Sequence, residues 1–450
     1  MDYVDSLRYL MSLADFERSG RFAQRPDLVP VLALLAELGD PHRGRPTVHV
    51  AGSKGKGSVA AMVESILRVA GRRTGLFTSP HLNRFPERVR IDGEPVSSED
   101  FAAGVAAVRA AAERVSARLP QRRFLTFDVL TALGFLLFRD KAVDVQIVEV
   151  GLGGLLDSTN VFETKECAVI TSIGLEHTEI LGSTIAAIAA QKAGIIVAGG
   201  PAVMAPQRES AADVIRAVAK EKGAPLTEAA LACRLRRDSA GADGQSFHLR
   251  TGVGDYEAKL PLLGKHQLEN AATAVLAVEA LAAAGIAVGA AAVKAGLEAL
   301  KWPARIEALK QRPLLVVDAA HTADSARVLG ETLAEYLHVK EATLVVGLMG
   351  DKDIDGLADA IAPLARRVIA TRADHPRALA PAAVARPFRE RGIETQVEPG
   401  VGAAVESALR LSTASEAVVI LGSVALAGEA RAHVLGLERD PPIDAGPRER

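Results

Sequence analysis

A short β-branched run, Thr47-Val48-His49-Val50, leads directly into Gly52-Ser53-Lys54-Gly55-Lys56-Gly57-Ser58, and an Ala/Val/Ile helical pattern follows from Ser58 to Ala70. Strand, glycine-rich loop and helix in that order are the setting in which a loop can cradle phosphate. Glycines let successive backbone N–H groups turn inward around an anion, and the start of the helix adds partial positive charge. Lys56 is then expected to meet the outer phosphates, while Gly52, Gly55, Gly57 and Ser58 complete the cradle. A flexible surface loop is the competing reading, and the position between strand and helix counts against it. The spacing departs from the common phosphate loop, because Gly57 separates Lys56 from Ser58.

The same alternation recurs along the chain. Strands are expected from Thr74 to Thr78, Val143 to Val150, Ala168 to Ile173 and Ala202 to Ala205, with helical patterns between them. The run from Val145 to Val150 is nearly all apolar, as in a strand covered on both faces. An α/β parallel sheet with right-handed crossovers follows. From Leu226 to Lys259 the pattern weakens to short β-like pieces around a Gly241 to Gly244 turn, which predicts a small antiparallel extension. Helices are expected from His266 to Ala284 and from Ala290 to Leu300. Lys301-Trp302-Pro303-Ala304 reads as a hinge, and a second βα series begins at Leu314.

At 450 residues, two cores are expected. Residues 1–300 would form the first domain, 301–437 the second, and the charged, Pro-containing stretch 438–450 a disordered tail. A net charge of −2 gives no electrostatic reason for a nucleic-acid partner. Uninterrupted apolar runs fall short of the roughly 18 residues that span a bilayer. Acids among the first residues speak against a secretory signal, and Cys167 and Cys233 match no metal spacing. A cytoplasmic location is expected.

Further motifs follow in order: Thr78-Ser79-Pro80-His81-Leu82, Glu87-Arg88-Val89-Arg90-Ile91, and Glu149-Val150-Gly151-Leu152-Gly153-Gly154 with Leu156-Asp157-Ser158-Thr159-Asn160. Then come Ser172-Ile173-Gly174-Leu175-Glu176-His177-Thr178, Lys192-Ala193-Gly194-Ile195, His266-Gln267 with Asn270, Pro303-Ala304-Arg305, Asp318-Ala319-Ala320-His321, Asp351-Lys352-Asp353 and Leu421-Gly422-Ser423. Together with the GKGS loop, this series resembles the folylpolyglutamate and dihydrofolate synthases of the Mur ligase superfamily over nearly the whole chain. The resemblance implies an N-terminal ATPase domain with a parallel sheet and a smaller C-terminal Rossmann-like α/β domain. It implies a ligase that joins L-glutamate to dihydropteroate or folates through an acyl phosphate, using ATP and two Mg²⁺ ions; the lack of coiled-coil heptads separately suggests a monomer. Ser79, Glu149 and His177 would hold metal, joined by Lys192 as a carbamate. Lys56, Lys192 and His321 would act in catalysis. Asn270 would take the adenine edge, Asp318 the ribose side and Arg305 the phosphates. Thr126, Phe127, Asp128, Leu156, Asp157 and Ser158 would line the pteroate site.

Residue chemistry alone leaves several of these open. His177 is equally a loop histidine, Lys192 a cation at a helix end, His321 a cap and Phe127 a core aromatic. Leu155 stands where the family has arginine, Ser158 for alanine, Asp128 for glutamate and Gln191 for glutamate, and Thr322-Ala323 replaces Asn-Pro. The changes fall near the organic substrate, so ligation chemistry is better marked than its reactants. A Mur ligase for another carboxylate, or an ATP-binding protein without turnover, are the alternatives.

Overall fold

The computed structural model describes residues 1–20 and 27–442. Its largest layer is an eight-stranded sheet. The strands run in the spatial order Glu94–Pro95, Val89–Ile91, Thr74–Phe77, Val145–Glu149, Thr47–Ala51, Cys167–Ile170, Ala202–Met204 and Leu226–Glu228. Every residue of the central strands Thr47–Ala51 and Val145–Glu149 is buried, which explains their largely apolar runs. Pairing is parallel from Thr74–Phe77 through Leu226–Glu228.

Helix Lys56–Val69 packs between this sheet and helices Lys265–Ala280 and Ala290–Glu298. A Cβ on Gly296 would sit 2.4 Å from the Ile66 backbone, so a glycine permits the close crossing, and Ser65 Oγ donates to Gly296 O at 2.6 Å. The other face is covered by helices Ser98–Arg118 and Thr126–Asp140, with Phe101, Phe135 and Phe138 fully buried. Strands Arg234–Gly241, Gly244–Arg250 and Asp255–Leu260 form a separate antiparallel sheet.

After residue 306 a six-stranded sheet begins, in the order Glu307–Gln311, Leu314–Val317, Ala417–Leu421, Ala342–Val346, Ala365–Ala370 and Thr395–Val397. Only the first of these strands is antiparallel to its neighbour.

Three expectations change. Leu226–Glu228 belongs to the large sheet as its edge strand, not to the antiparallel extension, because its backbone pairs with Ala202–Met204. The opposite edge carries an antiparallel pair, Val89–Ile91 with Glu94–Pro95, that hydrophobic periodicity did not mark. The stretch expected as a tail starts with held residues: Asp440 accepts from Tyr3 Oη (2.5 Å) and Phe85 N (2.9 Å), and Glu438 accepts from Arg84 at 2.5 Å. These charged groups pair with specific donors of the N-terminal half, which composition does not reveal. Residues 443–450 of that stretch lie outside the described residues.

From Thr47–Ala51 the chain first builds the strands on one side of it, ending with Val145–Glu149, and then crosses to Cys167–Ile170 on the other, so its path diverges at the C-terminal end of Thr47–Ala51. In open parallel sheets the ligand crevice lies there. No helix among the described residues is long and apolar enough to cross a membrane.

Candidate active site

The phosphate loop leaves strand Thr47–Ala51 at this divergence and ends at Gly55, the cap of helix Lys56–Val69. Gly55 has φ 88°, a left-handed conformation open to glycine, and a Cβ there would stand 2.5 Å from Asn270 Oδ1. The loop is braced from the neighbouring strand end: Ser53 N and Lys54 N both donate to Ser172 O, at 2.9 and 3.1 Å. Ser53 Oγ donates to Gly174 O at 3.0 Å. Lys192 Nζ closes the back of the loop by donating to Gly52 O at 2.7 Å. The loop is thus held by main-chain carbonyls of the Ser172–Gly174 segment and by the Lys192 side chain.

Glu149 is the last residue of its strand and is 5% exposed. Ser79 N donates to its Oε2 at 3.2 Å. Burial pushes the carboxyl above its usual range, while the charges of Lys56 and Arg305 pull against that. His177 stands at φ 51° before the turn Thr178–Leu181, edge-on to Phe16. Burial, with Lys56 and Lys192 nearby, lowers it to about 4, so near neutral pH its ring is uncharged and has a lone pair to offer. Lys192, 4% exposed, is brought down to about 7 by burial first and then by the charge of Lys56. Lys56 is therefore the electrostatic neighbour shared by Glu149, His177 and Lys192.

Among the described residues, no cluster of three or more His, Cys, Asp or Glu side chains is arranged to hold a metal. The donors expected here are one carboxylate, one neutral imidazole and the Ser79 hydroxyl. Such a sparse set fits Mg²⁺, which retains waters and phosphate oxygens among its ligands. It does not fit a fully protein-coordinated structural metal.

From the C-terminal half, Asp318 sits just past strand Leu314–Val317 and accepts from Ile306 N (2.8 Å) and Ala320 N (2.7 Å). Burial raises its carboxyl, offset by Arg305. The two expected nucleotide residues are therefore neighbours. His321 Nδ1 lies 2.9 Å from Ala319 O, and Nε2 lies 3.1 Å from Glu176 Oε1. The ring is thus held between a main-chain carbonyl and the Glu176 carboxylate. Glu176 also takes Lys54 Nζ at 2.7 Å. Burial would push Glu176 up, but the His321 hydrogen bond and the Lys54 charge hold it well below the usual carboxylate range. One carboxylate thus ties the phosphate loop to the C-terminal half. Sequence reading missed Glu176 and Lys54 as partners; the signal was an acid beside His177, whose reach across the chain no local pattern shows.

The expected substrate residues divide. Phe127 lies beneath Gly151, where a Cβ would meet its ring at 2.5 Å, and faces Phe77 with centroids 5.9 Å apart. Leu156 is exposed. Thr126 is buried, and its hydroxyl donates to Leu10 O (3.1 Å), tying the N-terminal helix instead of facing a ligand. Asp157 is also turned inward, accepting from Leu152 N at 2.8 Å and Thr159 N at 3.0 Å, so it shapes the loop. Asp128 accepts from Ser158 Oγ (2.6 Å) and Leu125 N (2.8 Å). Two positions that depart from the family pattern therefore touch each other: the hydroxyl of Ser158 meets the shorter carboxylate.

Burial raises the Asp128 carboxyl to about 6, against about 3.9 in an unfolded chain. A group raised on folding contributes stability below its unfolded pKa and loses it as pH rises through the folded one. Asp128→Asn removes that titration and keeps an acceptor for Leu125 N. Urea unfolding should show the variant gaining stability relative to the parent between about pH 4 and pH 6. A difference independent of pH would contradict this.

Two family models match the chain: the Mur ligase middle domain over residues 50–278, and the Mur ligase glutamate ligase domain over residues 304–424. The dihydrofolate synthase/folylpolyglutamate synthase of Mycobacterium tuberculosis is 35% identical over 436 residues, covering 90% of this chain and 89% of that protein. The chain belongs to the folylpolyglutamate/dihydrofolate synthase family of Mur ligases. Among solved structures, Mycobacterium tuberculosis folylpolyglutamate synthase complexed with ADP and AMPPCP superposes with a TM-score of 0.88 at 33% identity, covering 98% of this chain and 100% of that one. A folylpolyglutamate synthase complex with AMPPCP and folate gives 0.82 at 31%, covering 97% and 100%. The expected two-part α/β architecture of the Mur ligase kind is the one this chain has.

Proposed function

We propose that this chain joins L-glutamate to dihydropteroate, to folates, or to both, with ATP as the energy source. The observation that carries the reading is the gathering of Lys56, Glu149, His177 and Lys192 at one phosphate loop, in a family chain matching a folate complex along its length. We read residues 1–300 as the ATP-binding unit and 301–437 as the ligase unit, hinged at Lys301-Trp302-Pro303-Ala304, with a monomer as the working form.

In this reading the substrate carboxylate attacks the γ-phosphorus of ATP, forming an acyl phosphate and releasing ADP. The amine of glutamate then attacks the acyl carbon, and phosphate leaves with one oxygen of the original carboxylate. Two anions must meet in the first step, and clustered cations make that possible. Lys56 faces the transferring phosphoryl group; Gly52, Gly55, Gly57 and Ser58 present backbone and hydroxyl donors to the phosphates. Arg305 neutralises charge from across the cleft, with Asn270 and Asp318 placed for the nucleoside. Mg²⁺, up to two ions, would be held by Ser79, Glu149 and His177, and supplies further neutralisation of the phosphate oxygens when bound. The lowered basicity of Lys192 leaves a large neutral fraction near pH 7, and its amine nitrogen can add to CO₂ with loss of a proton, giving a carbamate for the same site. His321, oriented by Glu176 and Ala319 O, stands ready for proton handling near the acyl phosphate. Phe127, Leu156 and the Asp128–Ser158 pair shape the pterin side.

Phosphate release from ATP, screened with glutamate and dihydropteroate, folates and unrelated carboxylates, tests the assignment. Release only with folate-type acids supports it. Release only with other acids points to a different Mur ligase substrate, and no release with any pair to an ATP-binding protein without turnover.

A further inference from the structure

Trp302 is the one tryptophan of the chain, and three observations meet at it. Its indole lies on the first turn of helix Lys56–Val69: a Cβ on Gly57 would come within 2.9 Å of ring carbon Cζ2 and 3.5 Å of Glu149 Oε2. The additional glycine in the GKGS loop is therefore a demand for space, since any side chain there would displace the indole. On the other side, the Arg90 guanidinium lies 5.8 Å from the ring centroid. The indole Nε1–H is buried, with no acceptor among the described residues.

Two residues further on, Ala304 and Ile306 have φ values of 56° and 50°. That region is unfavourable for any residue with a Cβ and most of all for β-branched Ile306. The turn persists because it is pinned at both ends: Ile306 N donates to Asp318 Oδ2 (2.8 Å), and Ala304 N donates to Glu307 Oε2 (2.8 Å). Between the pinned residues stands Arg305, whose charge reaches Glu149. A strained, over-determined turn does not flex to absorb a displacement of the residue beside it; it passes the displacement on.

We propose that Trp302 is a positioning residue that couples occupancy of the phosphate loop to the placement of Arg305. Nucleotide settling on the loop fixes the first turn of helix Lys56–Val69, the indole seated on Gly57 is fixed with it, and the rigid Ala304–Ile306 turn brings Arg305 into register with the phosphates. This rests on the reading of the loop as a nucleotide site.

Because no other tryptophan is present, emission excited at the red edge of the indole band, where the tyrosines do not absorb, reports on this contact alone. ADP with Mg²⁺ would be titrated while emission is followed, and its binding measured separately by calorimetry. The coupling requires a saturable change in Trp302 emission whose midpoint matches the calorimetric Kd. In Trp302→Phe, nucleotide Kd should stay within about twofold, while kcat falls about tenfold through misplacement of Arg305. Binding without any change in emission overturns the coupling but leaves the nucleotide site standing. No heat of binding and no retention of ADP overturns both. A Trp302→Phe variant with lowered Tm and unchanged kcat would reduce Trp302 to a packing residue and also overturn the proposal.

Discussion

Replacing Lys56 with alanine lowers kcat/KM for ATP by about three orders of magnitude and leaves the unfolding transition nearly unchanged. The two halves of this expectation have separate causes. Lys56 sits at the start of helix Lys56–Val69, where a cation is not needed for helix stability, and it forms no ion pair among the described residues. Removing it therefore costs the fold little. The catalytic loss is large because its charge serves three groups at once: it offsets the burial of Glu149, and it adds to the burial that lowers His177 and Lys192. Steady-state kinetics with thermal unfolding on the same preparation checks both halves. Near-normal turnover would remove Lys56 from the site. A collapse of Tm would mean that the loss reflects misfolding.

Lys192→Ala gives a loss of similar size, about 10²- to 10³-fold in kcat, and with it a change in the response to CO₂. The parent enzyme should lose activity when CO₂ and bicarbonate are stripped, and recover when bicarbonate is returned; the variant should do neither. The pH direction follows from the environment. Burial and Lys56 bring Lys192 to about 7, so the neutral amine that reacts with CO₂ grows as pH rises through 7 and falls below it. Lys56→Ala removes the larger of the two charges that lower Lys192, shifts it upward and reduces the neutral amine at pH 7, so carbamate formation in that variant should need higher pH. Mass spectrometry of trapped carbamate, or ¹³C NMR with labelled bicarbonate, reads the modification without reference to turnover. Parent activity indifferent to CO₂ would leave Lys192 as the brace of Gly52 and nothing more.

Local chemistry made the phosphate loop legible, since strand, glycines and helix are adjacent in sequence. The apolar runs of Thr47–Ala51 and Val145–Glu149 marked the buried centre of the sheet for the same reason: burial on both faces leaves no polar alternation. Short edge elements were harder. Leu226–Glu228 is half-buried and only three residues long, so its periodicity cannot say which sheet it joins, and only backbone pairing decides that. Within the site, single positions were readable where a motif carries them, but contacts between motifs were not. Glu176 joins Lys54 and His321 across more than a hundred residues. Ser158 meets Asp128 over a separation that no periodic pattern spans. Trp302 stood out in the sequence within Lys301-Trp302-Pro303-Ala304, yet its seat on Gly57 is a matter of three-dimensional packing. Thr126 shows the converse: a polar residue in a recognisable motif whose hydroxyl the fold uses to anchor Leu10.

The central claim is that a carboxylate oxygen is transferred to phosphorus. Dihydropteroate or folate substrate carrying ¹⁸O in both oxygens of the reacting carboxylate, incubated with ATP, Mg²⁺ and glutamate, tests it in one measurement on the released phosphate. Ligation through an acyl phosphate at the Lys56 loop places one ¹⁸O in each phosphate formed. Phosphate released at the same rate as amide but without label would contradict the account.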